Sequence, residues 1–167
     1  MGEDLLPILH QEAEKCASAA IAAHPDWPCR KGCDVCCRRL AALPLLTSKE
    51  WSLLEEGLRQ LDEETRRGIR ERIAGLAAAA PYTCPLLEAE TGACLVYEQR
   101  PVACRTYGFY VERDQGLYCE LIRERVERGE LGGVVWGNQE LMDCQLDTLG
   151  PRIGFREWFQ SSGRHIL

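Results

Sequence analysis

Four cysteines fall within nine residues, in Cys29-Arg-Lys-Gly-Cys33-Asp-Val-Cys36-Cys37. Sulfur gathered this densely constrains the chain first. Thiolates displace water from zinc, iron and iron–sulfur clusters, and short spacings keep several of them near one point. A second series follows, with Cys84, Cys94 and Cys104 at ten-residue steps and then Cys119. Two cysteine-bearing segments converging on a metal centre is therefore the leading expectation.

Disulfides are the competing use of ten cysteines. The start Met1-Gly2-Glu3-Asp4-Leu5 has neither the basic region nor the apolar stretch of a secretory leader, so a reducing cytoplasm is expected and free thiols with it. No apolar run approaches the roughly 18 residues that a spanning helix needs, which argues against membrane insertion. A net charge of −6 gives nucleic acid no overall attraction, so that partner is disfavoured while a protein partner stays open. Basic residues nevertheless crowd the thiols. Arg30, Lys31, Arg38 and Arg39 sit in or beside the quartet, and Arg100 and Arg105 flank Cys104. Positive charge there lowers thiol pKa values and offsets the charge of a thiolate-rich centre.

The rest of the chain reads as mainly helical. Leu6, Leu9, Ala13, Cys16 and Ala20 mark an amphipathic helix over 4–23, stopped by His24-Pro25-Asp26-Trp27-Pro28. A helix over 28–38 would put Cys29, Cys33, Cys36 and Cys37 on one face, yet spread Cys29 and Cys36 about 10 Å along the axis. Either the backbone bends at Gly32, or the centre is larger or is shared with the later cysteines. Leu40–Leu46 reads as a short edge strand, and Thr47-Ser48-Lys49-Glu50 opens a helix with the stripe Trp51, Leu54, Leu58, Leu61. Ile69, Ile73 and Leu76 mark another, running through the alanines to Pro81.

Small hairpins are expected over 84–97 and around Asp114-Gln115-Gly116, with a short helix after Pro101 between them. Helices over 120–131 and 138–149 and one around Phe155–Phe159 complete the reading. At 167 residues the chain suits one core, so the expectation is a compact single domain over 1–167, mainly α with small β-hairpins, organised around a cysteine-ligated metal centre.

The order Cys quartet, Cys84-Pro-Leu-Leu, Gly92-x-Cys94-x-x-Tyr97 and Arg100-Pro-x-x-Cys104-Arg105-x-Tyr107-Gly108 resembles the YkgJ-type or CxxCxxCC cysteine-cluster family. Members are described as zinc- or iron-chelating, with flagellin lysine N-methylases among the relatives. The resemblance covers about 24–120, leaving 121–167 as a helical extension. Three residues separate Cys29 from Cys33, where the family's nickname has two.

The candidate ligands are Cys29, Cys33, Cys36 and Cys37, then Cys84, Cys94 and Cys104, then Cys119. Cys16 and Cys144 are expected to stay outside the centre. Iron–sulfur or another iron centre is the first reading of the cofactor, because the spacing suits clusters and the resemblance to the methylases implies iron. Zn2+ is the alternative, since all-cysteine tetrahedral sites are common in reducing compartments.

Cys29-x₃-Cys33-x₂-Cys36 also matches the radical-SAM spacing, which is set aside because the chain lacks the alternating strand–helix pattern of a partial barrel. His24 lies near the quartet but reads as a helix-end residue, and His10 and His165 have no cysteine neighbours. Tyr97, Tyr107 and Tyr118 read as packing aromatics able to donate to sulfur.

No serine–histidine–acid grouping, phosphate loop or Gly-x-Gly-x-x-Gly is present, so an independent hydrolase, kinase or dehydrogenase is not expected. Two classes follow. One is a redox, sensing or protein-modification-associated metal protein. The other is a structural zinc module whose arginines, Trp136 or Trp158-Phe159 meet a partner.

Overall fold

A computed structural model describes residues 4–161; His165 lies outside that range. The described residues form α1 (Leu5–Ala23), α2 (Val35–Arg38), β1 (Leu45–Leu46), α3 (Ser48–Arg59), α4 (Glu63–Ala74), α5 (Val102–Thr106), β2 (Tyr110–Glu112), β3 (Gln115–Leu117), α6 (Glu120–Glu127), β4 (Gly137–Asn138), α7 (Gln139–Asp147), β5 (Ile153–Gly154) and α8 (Phe155–Ser161). A 3-10 turn covers Tyr97–Gln99. Helices dominate and the sheets are small, as the sequence implies. No described helix is long and apolar enough to cross a membrane.

The chain divides into two compact units. Among the described residues, the first takes those up to Arg30 together with Val102–Gly150; the second takes Lys31–Pro101 and those from Pro151 to Ser161.

In the first unit, α1 buries Leu6, Leu9, Ala13, Ala17 and Ala20. Ala17 takes the buried position expected of Cys16, whose half-buried thiol instead donates to the carbonyls of Phe109 (3.6 Å) and Val135 (3.8 Å). Against α1 packs α5, which starts directly after Pro101. β2 pairs antiparallel with β3 and parallel with β4. The β2–β3 turn is Arg113-Asp114, both at positive φ (46° and 64°), which is the backbone a two-residue hairpin of this twist requires. The expected turn lay one to two residues later, drawn there by Gly116.

Trp27 is fully buried, stacked on Phe109 at 5.6 Å and beside Trp136 at 5.7 Å. Trp136 also meets Tyr118, at 5.3 Å, so its ring is a packing residue of this unit.

In the second unit, Thr47 and Glu50 form the expected capping box, Glu50 N donating to Thr47 Oγ1 and Thr47 N to Glu50 Oε2 (2.8 Å). This starts α3 with Trp51, Leu54 and Leu58 facing a core of Leu46, Ile69, Leu86, Val96, Phe155 and Phe159. Fully burying one such side chain contributes about 1.5–3 kcal/mol. β1 pairs antiparallel with β5, which leads into α8. Phe159 is buried there, and Trp158 stacks on Trp51 (5.6 Å) while donating to the Leu46 carbonyl (3.1 Å). Phe159 is thus a core residue, while Trp158 packs half-buried against the same core.

Two helix predictions are corrected. The chain is not helical from Cys29 to Asp34; Gly32 has φ +91°, and only the single turn α2 remains. The bend at Gly32 is one of the alternatives that the cysteine spacing leaves open. Likewise α4 stops at Ala74, where Gly75 donates to the Glu71 carbonyl at 2.9 Å, and the following alanines are exposed coil. Alanine's helical propensity alone does not hold a segment that buries no stripe.

Candidate metal centre

The cysteines separate by unit. Cys33, Cys36, Cys37, Cys84 and Cys94 belong to the second, Cys29, Cys104 and Cys119 to the first. Main-chain hydrogen bonds then decide which of the second group meet.

Cys36 and Cys37 ride on α2, with their sulfurs 4.0 Å apart. The chain leaving α2 pairs with the segment before Cys84. Leu40 N donates to Tyr82 O (2.8 Å), Tyr82 N to Leu40 O (2.9 Å), and Cys84 N to Cys37 O (2.7 Å). From α4, Arg72 Nε holds the Pro85 carbonyl at 2.8 Å. The expected fold-back over 84–97 is present as an antiparallel bridge between Leu87 and Cys94, closed by Glu88 N to Ala93 O (2.8 Å) and Leu95 N to Leu86 O (2.9 Å). Its turn residue Gly92, at φ +70°, lies against the loop before α2: a Cβ there would stand 2.9 Å from Gly32 O and 3.2 Å from Asp34 Oδ2. Arg38 adds a bond to the Ala89 carbonyl at 2.9 Å.

Three segments are thus strapped together, and Cys84 and Cys94 pack half-buried on the core of their unit. Electrostatics follow from that proximity. The Cys37 thiol, hydrogen-bonded to Cys36, brings the Cys36 pKa down to about 7, assisted by Arg100 and opposed by burial. Burial pushes Cys84 up to about 11, with negative charge on Cys94 and Cys36 adding to the rise and Arg72 opposing it. Cys94 is raised by burial and by Cys36, and Arg100 opposes. Cys36, Cys84 and Cys94 therefore feel one another's charge, and two guanidinium groups offset it.

The remaining candidates sit elsewhere or on the margin. Cys33 is half-buried one residue past Gly32. In the first unit the Cys29 sulfur lies over Gly108, where a Cβ would come within 2.5 Å of it; Cys104 is exposed on α5, and Cys119 is the N-cap of α6. Cys144 is exposed on α7. His24 caps α1 near the Trp27 ring, as a helix-end residue does. Among the described residues, no three His, Cys, Asp or Glu side chains stand at metal-ligating geometry. The second unit juxtaposes its thiols without closing them on one point.

Soft sulfur donors, partial burial and flanking arginines fit a thiophilic cation such as zinc or iron. Arg72 is the contributor the sequence did not disclose, because on α4 it looks like any other member of an exposed arginine–glutamate face. Only the tertiary contact with Pro85 distinguishes it.

One family model matches the chain, over residues 28–126, against the 24–120 expected: CxxCxxCC, described as "Putative zinc- or iron-chelating domain". No curated protein and no solved structure matches.

Proposed function

This chain belongs to the CxxCxxCC family of zinc- or iron-chelating domains, and from that premise we propose that it holds a metal centre on Cys36, Cys37, Cys84 and Cys94, with Cys33 the remaining cysteine of the same unit. The observation carrying the proposal is the strapping of α2 to the Cys84 and Cys94 segments, which sets mutually interacting thiols on one core. Cys29, Cys104 and Cys119 are the candidate donors of the first unit.

Iron, alone or as an iron–sulfur cluster, is the preferred occupant, and the role is redox, sensing or associated with protein modification. When bound, such a centre supplies a site for one-electron transfer or small-molecule reaction. The chain's part is to deliver ionised sulfur, exclude bulk water from Cys84 and Cys94, and offset charge through Arg72 and Arg100. The zinc reading, a structural interaction module, draws on a different observation: three segments without a regular sheet between them, which a closed thiolate site would pin.

Metal and acid-labile sulfide analysis, with an ultraviolet–visible spectrum, on protein purified without oxygen tests both. Brown protein with iron and sulfide in similar amounts supports the cluster, and colourless protein with zinc supports the structural module. A chain that takes up neither metal, even on reconstitution, overturns the proposal.

A further inference from the structure

We propose that Arg38 is a positioning residue of the thiolate centre, tying α2 to both later cysteine segments so that a metal meets thiols already assembled; this rests on the metal-binding reading above. Arg38 closes α2, directly after Cys36 and Cys37. Its carbonyl accepts from Thr83 Oγ1 at 3.4 Å, one residue before Cys84 and beside the bond from Cys84 N to Cys37 O at 2.7 Å. Its side chain serves the other segment, Nη2 donating at 2.9 Å to the carbonyl of Ala89 in the turn of the Cys94 fold-back. One residue therefore belongs to the first thiol-bearing segment and is bonded to the other two.

A second residue fixes the reach of that side chain. Asp34, at the opposite end of α2, accepts from Arg38 Nε and makes no capping bond to the helix that it precedes. Its carboxylate also borders the fold-back, since a Cβ on Gly92 would stand 3.2 Å from Asp34 Oδ2. An ion pair thus spans the turn carrying Cys36 and Cys37, and both of its members lie against residues of the turn that leads to Cys94.

The helix needs such a tie. α2 is a single turn with no buried residue, so burial does not fix its orientation. Thiolates repel one another, and segments that carry them drift apart unless something else holds them. Affinity for a metal then falls with the fraction of chains whose thiols stand together. The guanidinium fits the task because its rigid fork serves a carboxylate and a carbonyl at once. The Arg38 side chain is 49% exposed, so its bonds add little to global stability and act on the local arrangement.

The test is Zn2+ affinity by chelator competition, with the sulfur-to-metal absorption of Co2+ followed in parallel, on oxygen-free protein. The temperature is one at which circular dichroism shows the metal-free variants folded, so that a residue serving only global stability leaves affinity unchanged. Arg38→Met keeps the apolar stem and removes the donors. It is expected to weaken binding roughly three- to tenfold, the order for one hydrogen bond within an exposed ion pair. Asp34→Asn is expected to weaken binding less, and the double variant to bind no more weakly than Arg38→Met alone, because Asp34 acts through Arg38. The Co2+ spectrum should keep its shape throughout, since no ligand is changed. Should Arg38→Met not fold, the affinity and spectrum of Asp34→Asn decide. Wild-type affinity in either single variant, losses that add in the double one, or an altered Co2+ spectrum overturns the inference while leaving the metal site standing. A wild-type chain that binds neither ion overturns the site and this inference with it.

Discussion

Gly92→Ala is a direct probe of how the Cys94 fold-back meets the loop before α2. Gly92 has φ +70°, and an added Cβ would stand 2.9 Å from Gly32 O, closer than Cβ atoms tolerate. Gly129→Ala is the matched control: its φ is also +70°, yet a Cβ there meets nothing within 4 Å. Both variants bear the left-handed backbone penalty of roughly 1–2 kcal/mol, partly offset by the about 0.4–1 kcal/mol that alanine gains from a less free unfolded chain. Only Gly92→Ala adds the overpacking against Gly32, about 2 kcal/mol.

For a chain of this length about 1 kcal/mol shifts Tm by roughly 2–4 °C, so Gly92→Ala should melt about 4–8 °C below Gly129→Ala. Thermal denaturation of the reduced, metal-free proteins reads this. Zn2+ affinity of Gly92→Ala should also fall several-fold relative to Gly129→Ala, because the displaced Gly32 carbonyl leads directly into Cys33. Equal melting temperatures and equal affinities would refute the packing argument.

Thr47→Ala removes the buried cap of α3 and one donor to Glu50 Oε2, and should lower stability by about 1–2 kcal/mol in denaturant titration, with the slope unchanged. In the metal-free protein, iodoacetamide should modify Cys36 with half-maximal rate near pH 7, whereas Cys84 should stay unreactive well past pH 9; peptide mapping across a pH series checks this. Linkage gives the matching stability signs. The Cys36 pKa is lower folded than its ordinary 9.0, so its contribution is present above pH 9 and is lost as pH falls through about 7. The Cys84 pKa is raised, so its contribution is present below pH 9 and is lost as pH rises toward about 11.

The helices with clear stripes and stops were legible in the sequence. Prolines 25 and 28 closed α1, the Thr47–Glu50 box opened α3, and Asn138, whose side chain accepts from Leu141 N, opened α7. Local chemistry determines such features, so a single sequence contains them. What escaped depended on contacts between distant segments. The chain from Cys29 to Asp34 had a helical spacing of cysteines but also Gly32, and the conflict was resolved by packing Gly92 into the bend. The alanines after Gly75 had propensity without a surface to bury.

At the site, the sequence named the thiols and the later fold-back, because cysteine spacing is local information. It could not assign Cys29 to one compact unit and Cys36 to the other, nor select Arg72 and Arg100 from many arginines. Those selections depend on hydrogen bonds to Pro85 and Tyr97 that span chain segments or turns.

The measurement closest to the central claim is metal bound per chain in two double variants prepared alongside the wild type without oxygen. Cys84→Ser with Cys94→Ser removes thiols packed on the core beside α2, whereas Cys16→Ala with Cys144→Ala removes a thiol bonded to main-chain carbonyls and one exposed on α7. The account predicts wild-type metal content in the Cys16/Cys144 variant and little or none in the Cys84/Cys94 variant. Full metal in the Cys84/Cys94 variant, or its loss from the Cys16/Cys144 variant, would contradict it.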